Sequence, residues 1–116
     1  MKLDLNVWQL LNLIGIIGTV EGSVQNIRKA DKILDILELT DAEKEQIGYK
    51  FDATTGSITW TDYTIKFGVD IPDPNLGVFL VERVRLFKWP EAAWSSHIVR
   101  KQIVDLYDQL GIKDEA

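Results

Sequence analysis

The hydrophobic period changes twice along this chain, and that pattern limits most sharply what it can fold into. Up to Gly48 the apolar residues recur at three- and four-residue intervals. From Tyr49 to Ile71 they alternate, and after Pro74 helical spacing returns. One block of strands set between helices predicts an α+β domain with a small antiparallel hairpin or three-stranded sheet in mid-chain.

The spacing predicts a helix over Leu3–Ile14, with Leu3, Val7, Leu10, Leu11 and Ile14 on one face, Trp8 and Leu13 widening it and Gly15 ending it. Residues 16–22 then read as a loop. Ser23 can cap a second helix, Val24 to about Leu37, with Ile27, Ala30, Ile33, Leu34 and Leu37 inward. Thr40-Asp-Ala-Glu43 matches a capping box and starts a short third helix ending near Gly48.

Tyr49, Phe51 and Ala53 alternate with Lys50 and Asp52, Thr54-Thr-Gly56 suits a turn, and Ile58 and Trp60 alternate with threonines, which is a hairpin pattern. Tyr63, Ile65, Phe67, Val69 and Ile71 also alternate, but on odd numbers. The flip of parity at Thr61-Asp62 requires a turn or bulge. Asp73-Pro74 supplies an N-cap and a proline at the first helical position, predicting a helix to about Lys88, although Val78, Val81 and Val84 would also suit a strand. Pro90 breaks the chain, and a last helix to Leu110 turns Val99, Ile103, Leu106 and Leu110 inward before Gly111 closes it. The expected architecture is one domain over residues 1–112, with about five helices and a short flexible tail over residues 113–116.

With 46% hydrophobic residues, a chain of 116 residues can bury a core without staples. It has no cysteine, so disulfides, thiolate metal sites and cysteine nucleophiles are excluded. The net charge of −5 opposes general nucleic-acid binding, although from Pro74 onward six basic residues balance six acidic ones. The most apolar stretch, Leu10–Val20, is too short for a bilayer and carries Asn12. No membrane association is therefore expected.

The patterns that mimic catalytic or metal sites fail on geometry. His97 and Asp105 share a helical face but lie about 12 Å apart along the axis, too far for one metal ion. Asp31, Asp35 and Glu38 alternate with Arg28, Lys29 and Lys32, as on a solvated helix face with intrahelical ion pairs. The glycines at 15, 18 and 22 follow a helix, whereas a dinucleotide fingerprint follows a strand. Asp73–Gly77 lacks the later ligands of a calcium loop, since Gly77 and Val84 stand at the fifth and twelfth positions. No cofactor, metal or small-molecule substrate is expected.

A recognition surface remains. Arg83, Arg85, Lys88, Trp89 and Trp94 gather around Pro90, and tryptophan and arginine are enriched at binding hot spots, although tryptophans in a small domain mostly serve its core and the sequence leaves both readings of Trp89 and Trp94 open. Self-association is also open, because the first helix is apolar on more than one side through Trp8, Leu11, Leu13 and Ile14.

The succession of an apolar first helix, Glu21-Gly22, a Leu-rich helix, Leu39-Thr-Asp-Ala-Glu43, Gly56-Ser-Ile-Thr-Trp60 and Leu106-Tyr-Asp-Gln-Leu110 resembles small proteins of unassigned function encoded by bacteriophages and prophages. That resemblance covers most of the chain and carries no catalytic motif. It implies a viral protein acting in the cytoplasm of an infected bacterium or in a virion. The expectation is a non-enzymatic module that binds a host or viral protein. The alternative is a regulator that touches DNA, because three helices and a hairpin are also the element order of a winged-helix domain. Its third helix, Asp41–Ile47, is net acidic and would be repelled by phosphate.

Overall fold

The computed structural model describes residues 1–62 and 65–112, and of Trp94 the backbone alone. The strand character expected at Tyr63 and the tail over residues 113–116 lie outside the described residues. The fold is α+β, as the alternation of periods requires.

The chain opens with a strand, β1 (Lys2–Asn6), and not with a helix. Leu3 and Leu5 are buried while Lys2 and Asp4 are exposed, a period of two that the wider row Leu3, Val7, Leu10 conceals. Helix α1 (Val7–Gly18) starts where Asn6 forms a capping box with Gln9. The Asn6 side chain accepts from Gln9 N–H at 2.8 Å, and Gln9 Oε1 accepts from Asn6 N–H at 3.1 Å. The helix passes through the exposed Gly15 and ends at Gly18, so the first three residues of the expected loop over residues 16–22 are helical and the other four are not.

Helix α2 (Val24–Leu37) is capped by Ser23, with Ala30, Ile33 and Leu37 buried, but Ile27 is exposed. Helix α3 (Asp41–Ile47) carries the Thr40/Glu43 capping box and ends on Gly48 at φ +70°. The hairpin follows as β2 (Lys50–Asp52) and β3 (Ser57–Thr59), with Phe51 opposite Ile58 and both exposed. The Asp52 carboxylate accepts from Thr54 N–H at 2.9 Å in its turn, and this bond holds its carboxyl below the ordinary value.

Strand β4 (Lys66–Asp70) does not extend the hairpin. It pairs antiparallel with β1, with Leu3 opposite Val69 and Leu5 opposite Phe67. Two separate two-stranded sheets therefore stand where one was expected, and the parity flip marks the passage between them. Helix α4 (Pro74–Leu86) starts on Asp73 and buries Leu76, Phe79, Leu80 and Val84, which settles that segment as helix. The expected last helix is two, α5 (Glu91–Ser95) and α6 (His97–Leu110). Ser96 is extended between them and accepts from Val99 N–H at 3.4 Å. The described residues thus hold six helices, one more than the periodicity counted.

Helix α1 is the centre of the packing, touching α2, α4, α6 and the β1–β4 sheet. Its buried Leu10, Leu13, Ile16 and Ile17 are worth about 1.5–3 kcal/mol each by burial. Gln9 is also buried, 1% exposed, and its amide is fully engaged. Nε2 donates to Gln102 O at 3.0 Å and to Asp105 Oδ2 at 2.8 Å, fastening α6 to α1. Asn6 adds a hydrogen bond to Gln102 Oε1. None of the described helices is long and apolar enough to cross a membrane.

Candidate functional site

The residues singled out around Pro90 do not share one surface. Trp89 is buried, stacked on Trp8 with ring centres 5.8 Å apart and edge-on to Phe87 at 5.0 Å. Its indole N–H donates to Tyr107 Oη at 2.9 Å, and Tyr107 in turn donates to Val84 O at 3.2 Å. This indole is a satisfied core group. Arg83 lies over the Phe79 ring at 5.1 Å and borders a hollow beside Ile16 and Phe87, whereas Arg85 borders a cleft with Met1 and Val78. Being two apart on α4, the two arginines diverge. Lys88 is exposed between α4 and α5, and the Trp94 side chain is outside the described residues.

A different place brings chemistry together. Between α1, α2, α3 and the hairpin lies a groove of about 570 Å³. Leu11 and Ile14 of α1, Leu34 of α2, Leu39, Tyr49 and Ile58 form its apolar surface. Asp31 and Asp35 of α2, and Glu38 just past its end, stand at its border. Helical spacing places these three on neighbouring turns, and the early end of α2 at Leu37 leaves Glu38 and Leu39 extended toward α3.

The carboxylates are not neutralised as expected. Among the described residues the only ion pair within 4.0 Å joins Lys66 to Asp4. Arg28, Lys29 and Lys32 make no such contact with them, and Lys29 turns instead toward the Phe79 ring at 5.9 Å. Lys44, the one cation among the described residues that line the groove, sits over the Tyr49 ring at 5.2 Å. Three carboxylates against one ammonium give the border an excess of negative charge. This arrangement attracts a cationic group to an apolar bed.

Asp31, Asp35 and Glu38 were visible in the sequence as a set. The available signal was the surplus of apolar residues on α1. Leu13 is core and Trp8 is taken up by Trp89, but Leu11 and Ile14 are left for the groove. His97 is exposed, and among the described residues no three histidine or acidic side chains are grouped to hold a metal.

No family model, curated protein or solved structure matches this chain.

Proposed function

We propose that the protein is a non-catalytic protein-binding module that receives a basic amphipathic segment of its partner in the groove between α1, α2 and the hairpin. The observation that carries this reading is the row Asp31, Asp35 and Glu38, without ion-pair partners beside an apolar surface formed by Leu11, Ile14, Leu34 and Ile58. Apolar side chains of the partner would supply affinity there, and its lysines or arginines would supply orientation and rate of encounter. Through the resemblance to phage-encoded proteins, the partner is a host or virion protein and the place of action an infected bacterial cell or the particle.

The test is an NMR titration with an amphipathic helical peptide of leucine and lysine, together with a sequence-scrambled control. Shift changes centred on Leu11, Ile14, Leu34, Tyr49 and Ile58, weakened by salt and lost in the double variant Asp31→Lys/Asp35→Lys, are expected. Shifts spread evenly over the surface, or equal for the scrambled peptide, would overturn the reading. A band shift with phage DNA at low salt would favour the DNA regulator instead. None is expected, because α3 presents Asp41, Glu43 and Glu45 against Lys44 alone.

A further inference from the structure

The two edges of the β1–β4 sheet are treated differently. Met1 and Ile71 exchange two backbone hydrogen bonds, at 2.8 and 2.7 Å, which fixes the ladder's phase. Odd residues of each strand point their N–H and C=O groups at the partner strand, and even residues point theirs outward. On β1 the outward groups of Asp4 are covered by the Gln109 side chain. On β4, no hydrogen bond among the described residues reaches the outward groups of Lys66, Gly68 and Asp70, and all three residues are exposed. An uncovered edge is a template for another strand.

The sequence of that edge says which strand fits. Lys66-Phe-Gly-Val-Asp70 is self-complementary about Gly68 when laid antiparallel on itself. A two-fold axis at Gly68 sets Lys66 of one copy against Asp70 of the other twice over, on the solvent face of the sheet. Phe67 meets Val69 on the inner face, and the centre holds a glycine whose added Cβ would meet nothing within 4 Å. In parallel alignment like charges would face each other. We propose that β4 is the interface of a symmetric homodimer, joining two copies into a four-stranded sheet β1-β4-β4-β1. The pairing is isologous, as a closed two-fold requires. It is independent of the groove and of what the groove binds.

Sedimentation equilibrium over a concentration series tests this on the full chain. A monomer–dimer equilibrium is expected. Lys66→Glu and Asp70→Lys should each weaken association by about tenfold or more, because the symmetry turns two favourable cross-strand pairs into two repulsive ones. The double variant Lys66→Glu/Asp70→Lys should restore it. Since the chain has no cysteine, Gly68→Cys supplies one thiol per copy. Paired residues at a Cα separation of about 5.5 Å lie within reach of a disulfide, so oxidation should give a cross-linked dimer. Ser57→Cys in the hairpin should not cross-link at the same protein concentration. A wild-type protein that stays monomeric throughout, or a dimer whose association neither single charge reversal changes, overturns the proposal.

Discussion

The side-chain amide of Gln109 is bonded to the backbone of Asp4 at both of its ends. Oε1 accepts from the Asp4 N–H at 2.7 Å and Nε2 donates to the Asp4 carbonyl at 2.8 Å, as a neighbouring strand would. Nε2 also reaches Asp105 Oδ2 at 2.8 Å, the same oxygen that holds buried Gln9. One helical side chain thus stands in for a third strand and ties the end of the chain to its beginning.

Replacing Gln109 by alanine should lower stability by about 1–3 kcal/mol, from two partly solvated hydrogen bonds to Asp4 at about 0.5–1.5 kcal/mol each. Gln109→Glu should cost more. It removes the donor to the Asp4 carbonyl and sets a second carboxylate beside Asp105. Urea melts rank the two variants, and an order with glutamate the milder would contradict the bidentate role.

Trp89 and Tyr107 form a second fastening. Trp89→Ala should destabilise the fold by about 3–5 kcal/mol, as for a large core truncation. Tyr107→Phe keeps the ring but strips the acceptor from the indole and the donor from Val84, costing about 1–3 kcal/mol. A phenylalanine variant as stable as wild type would mean that the indole N–H finds water instead.

Gly48 and Gly111 both end helices at positive φ, +70° and +72°, yet they should respond differently to alanine. At Gly111 an added Cβ meets nothing within 4 Å, so the cost is the left-handed strain alone, about 1–2 kcal/mol. At Gly48 it would collide with Thr61 Oγ1, a clash added to the same strain. Gly48→Ala should therefore be the more damaging, and Thr61→Ala should relieve part of its cost. A double-mutant cycle between positions 48 and 61 reads that coupling, and strict additivity would show that the loop moves aside freely.

Local signals were legible wherever the partner lay nearby in sequence. Ser23, the Thr40/Glu43 box, the hairpin turn and Asp73-Pro74 all set boundaries within a few residues of themselves. The same kind of box at Asn6 and Gln9 was hidden because Leu3, Val7 and Leu10 fit helical spacing across it. What makes residues 2–6 a strand is β4, sixty or more positions away, and no local pattern contains that. Trp89 was hidden for a similar reason, since Trp8 and Tyr107 come to it from opposite ends of the chain. The groove was half visible. Its carboxylates stood in plain order, but interleaved Arg28, Lys29 and Lys32 suggested ion pairs that the side chains do not make. Tyr49 and Ile58 join its apolar surface only once the fold brings them to the same groove as Leu11 and Leu34.

Strand β1 also sets a timetable for synthesis. Of the described segments it leaves the ribosome first, but it meets β4 only after that strand has been made, and Asp4 waits for Gln109, 105 residues later. Until then β1, with Leu3 and Leu5, lacks its pairing strand, while α1 can already pack on α2. The β1–β4 layer closes late, so slow translation near the end of the domain would lengthen the interval in which its nascent first strand can be captured by chaperones or by other chains.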